Sequence, residues 1–384
     1  MVDYLTLSVI LFSFVLGEII ALRFRIPPLI VFLVIGALVG TYGFVQQSDT
    51  LSFLGELGSI LLLFAIGTEF SIGRLIHDGF GRAGAIAIIE IVIAMGLLYF
   101  AFLLWFSQPV AIILALAFSI TSTGTTVKLI KSLELGKKFN ISQMIQISII
   151  EDLVAVFAFS VINSFAIIRS PKPEEVAVSF LVSLVLFVIA YYVFTRLLNR
   201  IIYRYRIVGE DMLMLALALL LLFVSIATYL NLSAAFGAYI AGSIVSEWKS
   251  RNGTLEEDMR KFSYTFIAFF FFTIGLSVNL FAIDYVLLLV VLPLVVAAKF
   301  VSLFGGGLAV LKNVKRPFFM AAGMLSIGEL SLVIVSAAVG SSMMSESFLG
   351  LSSFVVFFSV IISYAMVINI DRIYLAISRV PGSA

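Results

Sequence analysis

Apolar stretches of membrane-crossing length alternate with short polar breaks along the whole chain. They fall at about 5–22, 27–44, 51–72, 82–106, 109–131, 141–168, 175–203, 210–230, 233–248, 262–280, 283–311, 317–342 and 347–375. A helix rises 1.5 Å per residue, so about 20 apolar residues cross a hydrocarbon core ~30 Å thick. The pattern predicts about 13 transmembrane helices. An odd number of spans puts the termini on opposite sides of the membrane, and basic residues test this independently because cytoplasmic loops hold the excess of Lys and Arg. Of the 24 basic residues, 21 sit at one set of alternate connections and span ends, Arg169 and Lys172 at the other, and Lys299 inside a span. The N-terminus is expected outside and the C-terminus in the cytoplasm, with the chain in the cell membrane and lipid around it.

The two halves of the pattern echo each other. Leu62-Leu63-Phe64-Ala65-Ile66-Gly67 in the third run resembles Phe270-Phe271-Phe272-Thr273-Ile274-Gly275 in the tenth. Ile35-Gly36-Ala37-Leu38-Val39-Gly40 loosely matches Ile240-Ala241-Gly242-Ser243-Ile244-Val245. A shift of seven spans is odd, so the second copy is inverted: spans 1 to 6 against 8 to 13, with span 7 connecting them. Chance similarity between apolar runs is the competing explanation. Matched interruptions favour the repeat. Span 5 carries Ser119-Ile120-Thr121-Ser122-Thr123-Gly124-Thr125-Thr126, and span 12 carries Gly323-Met324-Leu325-Ser326-Ile327-Gly328-Glu329. Paired broken helices point to a transporter's midplane site, because free amides and carbonyls are tolerable there only against protein or a cavity. In span 5, Ser and Thr bonding back to their own helix is an alternative.

The chemistry gathers beside these breaks. Glu151 and Asp152 stand roughly 15 Å inside the run 141–168, near mid-membrane, where a carboxylate costs several kcal/mol unless protonated, paired or hydrated. Successive helical residues point about 100° apart, so the two need different partners. Ser148 lies one turn before Asp152 on the same face and can join it in an oxygen site suited to a hard monovalent cation. Lys299 needs a buried anion, Glu151 first, and Glu329 adds a polar group at the second break. Glu151, Lys299 and Glu329 also fit a structural ion-pair network, but one lysine cannot neutralise three carboxylates. Glu69 either lines an entrance or is an ordinary interfacial acid, and Glu90 and Glu56 carry less signal.

Composition narrows the classes. The chain of 384 residues is 62% hydrophobic and 12% charged with no cysteine and one histidine, His77. This excludes disulfides, thiolate metal sites, cysteine nucleophiles and histidine clusters. Lacking a basic segment before it and a small-residue cleavage site after it, the first run is expected to be a retained span. Gly79-Phe80-Gly81-Arg82-Ala83-Gly84 matches G-x-G-x-x-G in letters, but it follows no strand and opens a membrane span, so no nucleotide site is expected. Gly305-Gly306-Gly307 reads as close packing or a hinge.

Arg25-Ile26-Pro27-Pro28, Leu61-Leu62-Leu63-Phe64-Ala65-Ile66-Gly67-Thr68-Glu69 and Ser122-Thr123 follow one another in an order and spacing that is specific as a set. So do Phe236-Gly237-Ala238-Tyr239-Ile240-Ala241-Gly242, Phe270-Phe271-Phe272-Thr273-Ile274-Gly275-Leu276 and Gly328-Glu329-Leu330-Ser331-Leu332-Val333-Ile334. Through nearly its whole length the chain resembles the monovalent cation:proton antiporter-2 family, which holds bacterial sodium/proton antiporters and the membrane parts of potassium efflux systems. The resemblance implies a homodimer with a dimerisation domain at 1–80 and 207–281, a core at 81–170 and 282–384, and a linker helix at 171–206. It implies cation or proton binding at Asp152. The preceding position, Asp, Asn or Gln in the family, is Glu151 here, and Lys299 resembles the lysine of electrogenic members. It also admits a cytoplasmic regulatory domain that this chain does not contain.

The expected function is exchange of a monovalent cation, sodium first and potassium second, for protons through alternating access of the core. Asp152, Glu151, Ser148, Thr121, Ser122 and Thr123 are the expected cation and proton site, with Lys299, Glu329 and Glu69 as supporting charges. No cofactor and no nucleic acid are expected, and no enzyme chemistry, since no nucleophile and base pair is evident. The alternatives are a monovalent cation channel and an organic-anion symporter of related fold.

Overall fold

Helix occupies part of every predicted run, and it stops where the sequence interrupts the apolar pattern. The computed structural model describes residues 4–24, 26–69, 80–122, 125–127, 130, 135–136, 138–167, 173–206, 209–230, 232–248 and 255–378. The helices are α1 (Tyr4–Phe24), α2 (Pro28–Thr41), α3 (Asp49–Glu69), α4 (Phe80–Phe102), α5 (Gln108–Phe118), α6 (Ile141–Ile167), α7 (Pro173–Tyr205) and α8 (Glu210–Tyr229). They continue as α9 (Ala234–Ser246), α10 (Leu255–Leu276), α11 (Tyr285–Leu311), α12 (Lys315–Gly323), α13 (Leu330–Gly340), α14 (Ser347–Ile368) and α15 (Ile370–Ser378). Among the described residues, eight helices are long and apolar enough to cross a membrane, and four apolar helices are shorter. The chain is an all-helical, multi-pass membrane protein.

Three runs depart from a single helix. The run 109–131 leaves helical geometry after Phe118, and 317–342 splits into α12 and α13 around residues 324–329. The run 347–375 was expected to be one span, but α14 ends at Ile368 and α15 starts afresh beyond Asn369. Polarity explains the last break: Asp371 and Arg372 are exposed, while Ile370 is buried and Tyr374 packs its ring 5.4 Å from Phe318 and 5.8 Å from Phe319. Asp371 meets Lys138 at 2.5 Å, and Lys315 lies over the Phe319 and Tyr374 rings.

The chain divides into two units, one of residues 1–72 and 156–283, the other of 73–155 and 284–384. Glycines let backbones touch in the first. A Cβ on Gly36 would stand 2.2 Å from the Phe272 carbonyl oxygen, and one on Gly275 only 2.1 Å from that of Leu33, so α2 and α10 cross through these two glycines. The α3–α9 crossing repeats this: a Cβ on Gly67 would be 2.4 Å from Tyr239 O and one on Gly242 2.2 Å from Phe64 O. In lipid, where no hydrophobic force separates helix from solvent, such close van der Waals packing is what holds helices together. These are four of the five glycines of the sequence echo, and the two crossings exchange under the repeat: span 2 on span 10, span 9 on span 3.

The second unit is built around α4 and α11. Ala83, Ala87, Glu90 and Ala94 form one buried face of α4, at helical spacing. Val295, Lys299, Ser302 and Gly306 form the buried face of α11, and a Cβ on Gly306 would stand 3.1 Å from Ile86 O. Gly307 lies equally close to Pro317 and Met320, so the glycine triplet is a packing site. An apolar cluster of Ile86, Phe139, Met144, Ile147, Leu303, Phe318 and Phe319 fills the end of this unit near α15.

Candidate functional site

Where α5 ends, Ser119 turns its hydroxyl back onto the Leu116 carbonyl, and the β-branched Ile120 and Thr121 continue out of the helix. Facing them, the chain is non-helical from Leu325 to Gly328 before α13 begins. The two breaks cross as an antiparallel pair at Thr121 and Ile327. Ser122 N–H donates to Ser326 O at 2.9 Å, and Gly328 N–H donates to Ile120 O at 2.9 Å. A Cβ on Gly328 would come within 3.1 Å of the Thr121 oxygen, a tight contact that a glycine avoids. Each break thus supplies part of what the other's backbone lacks, as the bilayer interior demands.

Side chains supply the remainder. Thr121 N–H donates to Glu151 Oε2 at 2.7 Å, and Ser119 O accepts from the Lys299 ammonium. That carbonyl lies at the C-terminal, negative end of α5, where a cation is favoured. At the second break Ile327 N–H donates to the Ser359 hydroxyl at 2.9 Å, and the Thr126 and Ser326 hydroxyls meet at 3.1 Å. The Ser122 hydroxyl donates to the Glu329 carboxylate, 3.0 and 2.9 Å from its two oxygens, and accepts from Thr125 N–H at 3.3 Å as helix resumes.

Lys299 is fully buried and lies between two carboxylates, Glu90 at 2.7 Å and Glu151 at 3.3 Å, both also wholly inaccessible. Ser302, one turn on along α11, adds its hydroxyl to Glu90 at 3.3 Å. Glu151, the partner expected from the sequence, is therefore one of two, and the nearer is Glu90, to which the sequence reading gives little weight. Two signals mark Glu90 in retrospect: it is the lone charge on the alanine face of α4, and it precedes Lys299 by 209 residues, close to the separation of Leu62 and Phe270 in the repeat.

Glu151, Thr121, Ser122, Lys299 and Glu329 are thus gathered at the crossing. Asp152 and Ser148 lie on the adjoining stretch of α6, both buried. The Thr121 hydroxyl is buried and has no hydrogen-bond partner among the described residues, leaving an oxygen with free lone pairs at the crossing. Thr123 lies outside the described residues. Glu69 closes α3, in the other unit, and its side chain is likewise outside them. Among the described residues, no group of three or more His, Cys, Asp or Glu is placed to hold a metal ion. The oxygens at hand are carboxylates, hydroxyls and carbonyls, ligands for a hard cation.

Similarity to known proteins follows the same lines. The chain is 25% identical over 338 residues to the K(+)/H(+) antiporter subunit KhtU of Bacillus subtilis, covering 84% of this chain and 82% of that protein. It is 26% identical to the ammonium/H(+) antiporter subunit AmhT of Alkalihalophilus pseudofirmus, over 87% and 85%. With the Na(+)/H(+) antiporter of Enterococcus hirae it shares 25% identity over 93% and 95%. In fold it is similar to the sodium proton antiporter MjNhaP1 of Methanocaldococcus jannaschii, with a TM-score of 0.73 at 17% identity over 94% of this chain and 96% of the other. Residues 9–368 match the family described as sodium/hydrogen exchanger, transmembrane, and the chain belongs to that family.

Proposed function

We propose that the protein exchanges a monovalent cation, sodium first and potassium second, for protons, with Asp152 as the carboxylate for which cation and proton compete. The observation that carries this is the crossing of two broken helices with a buried acidic pair on the helix beside it. The named relatives act on sodium, potassium or ammonium together with protons, which supports a singly charged cation.

The reading follows from charge. An empty, ionised Asp152 is penalised by desolvation when its surroundings move across the membrane interior. A protonated or cation-bound Asp152 is nearly neutral and is not. Coupling arises from that difference, because the protein reorients only when one of the two is aboard. Thr121, Ser122, Thr123 and Ser148 complete the oxygen site. Lys299 and Glu151 set its electrostatics, while Glu329 and Glu69 support the approaches. Segments 81–170 and 282–384 are the moving core, 1–80 and 207–281 the dimerisation domain of a homodimer, and 171–206 the link between them. The N-terminus faces outside and the C-terminus the cytoplasm of the cell membrane.

Sealed proteoliposomes test this. Adding sodium, lithium or potassium should drive proton flux through the native protein, and Asp152→Asn should reduce that flux to the level of empty vesicles while the protein still inserts and folds. Cation movement without protons, or flux indifferent to Asp152→Asn, overturns the reading in favour of a channel.

A further inference from the structure

Where α6 and α12 begin, the second unit holds an open cavity of about 380 Å³. Its polar lining is Lys138, Asn140, Gln143 and Arg316, and its apolar lining is Phe139, Met144, Phe319 and Met320. The acceptors around it are engaged within the protein. Asn140 Oδ1 accepts from Gln143 N–H at 3.2 Å, Gln143 Oε1 accepts from the Asn140 amide at 3.4 Å, and the Asp371 carboxylate on α15 holds Lys138 at 2.5 Å. The donors are left over. The Gln143 side-chain nitrogen and the Arg316 guanidinium have no partner among the described residues, and Lys138 has N–H bonds beyond the one given to Asp371. Charge runs the same way. Asp371 offsets Lys138 only, so Arg316 and its neighbour Lys315, which lies over the Phe319 and Tyr374 rings, leave the rim positive.

We propose that this cavity binds the phosphate group of an anionic ester, carried either by a phospholipid headgroup or by a soluble molecule. An ionised phosphate presents acceptors on several oxygens and meets a guanidinium through two parallel hydrogen bonds. It is therefore the complement of the donors that Lys138, Gln143 and Arg316 leave over. The cavity is larger than a bare inorganic ion fills, and Phe139, Met144, Phe319 and Met320 offer an apolar wall to the organic part of the ester. Basic pockets between membrane helices take lipid phosphates in this way. Lys138 stands just ahead of α6 and Arg316 in the first turn of α12. The first helix leads on to Asp152 and the second into the break at 324–329, so the ligand ties together the starts of two elements that build the candidate site.

Thermal unfolding of the full chain in a neutral detergent tests this, with phosphatidylglycerol, zwitterionic phosphatidylcholine and glycerol phosphate, the soluble counterpart of the first headgroup, as probes. Phosphatidylglycerol, glycerol phosphate or both should raise the unfolding midpoint, and phosphatidylcholine should not. A rise with the lipid alone assigns the source to the membrane; a rise with glycerol phosphate shows that the soluble ester suffices. Arg316→Gln should raise the concentration of the active probe needed for half the shift about tenfold, since it removes a charged hydrogen-bond donor. It should leave the midpoint without probe unchanged, because the guanidinium has no partner in the protein. Lys138→Gln should weaken the response as well and lower the starting midpoint through loss of the Asp371 contact. Arg260→Gln combined with Lys261→Gln removes two exposed charges from the other unit and should respond as the native protein does. No shift with either phosphate probe, an equal shift with phosphatidylcholine, or a native half-point in Arg316→Gln overturns the proposal. Should Lys138→Gln fold poorly, Arg316→Gln decides alone. No transport enters this readout, so the site stands or falls separately from the exchange proposed above.

Discussion

The two helix breaks share a backbone and differ in charge. In both, the chain leaves helix in mid-span, pairs with the other across Thr121 and Ile327, and points an amide at a long neighbouring helix. At the first break that amide, on Thr121, is met by the carboxylate of Glu151 on α6; at the second, on Ile327, by the hydroxyl of Ser359 on α14. Residue 151 stands to 359 nearly as 90 stands to 299, so the second copy is an internal control for the first. A hydroxyl is enough to satisfy a buried amide. The carboxylate at the first break therefore does something besides capping the backbone, and the same holds for the lysine on the Ser119 carbonyl. Of the two groups that meet these amides only Glu151 carries charge, the carboxylate of the second break, Glu329, meeting the Ser122 hydroxyl instead, and Asp152 follows directly on Glu151.

The comparison breaks most violently at Lys299. Lys299→Met removes the cation and leaves Glu90 and Glu151 facing each other without it, a change that costs about 3–5 kcal/mol when a buried pair loses one partner. A large fall in the midpoint of thermal unfolding of the detergent-solubilised protein is expected, and Lys299→Met combined with Glu90→Gln should recover part of it. If the single variant melts with the native protein, the cluster is not the charged unit described above.

Next in size is the second break. Ser359→Ala leaves Ile327 N–H without its acceptor in a fully buried position, and an orphaned amide costs about 1–3 kcal/mol. Stability should fall by that amount with the cation preference of exchange unchanged, since the second break contributes structure and no charge at this point. A shift in cation preference equal to that produced by Glu151→Gln would mean that the two amide partners, Glu151 and Ser359, are not divided into a functional and a structural one.

Much of this was legible in the chain. The apolar runs gave the helices, and the mismatch between Ser119–Thr126 or Gly323–Glu329 and their apolar surroundings marked both breaks. Four glycines of the echo, Gly36, Gly67, Gly242 and Gly275, turned out to be the contact points of two equivalent crossings because only glycine permits those backbone distances. Glu90 was not legible as a partner of Lys299. A single carboxylate in an apolar run looks the same whether it faces lipid headgroups, a cavity or a lysine far away in sequence. Pairing is a property of which faces of α4 and α11 meet, and there Gly306 lies against the backbone of Ile86 and Glu90. The end of α14 was also missed: hydropathy averages over Asp371 and Arg372, whereas the backbone turns so that both reach the surface. Ser359 gave no signal, since serines within a span commonly bond their own helix, as this one also does to Val356 O.

The smallest expected effect sharpens the comparison where the two breaks touch. Thr126 and Ser326 join them by a hydroxyl–hydroxyl contact of 3.1 Å, with neither group charged and both buried. Hydrogen bonds between membrane helices average only about 0.6 kcal/mol, with about 1.7 at most, because the unfolded chain in the bilayer finds other partners. Thr126→Val keeps the branched shape and removes the oxygen, so stability should drop by roughly that average, measured by thermal unfolding. Ser326→Ala should cost the same, and the double variant no more than either alone, because each single change already breaks the one shared bond. Additive losses would show that the two hydroxyls serve separate partners, and the crossing would then be held by its two backbone bonds, Ser122 to Ser326 and Gly328 to Ile120, rather than by side chains that bridge it.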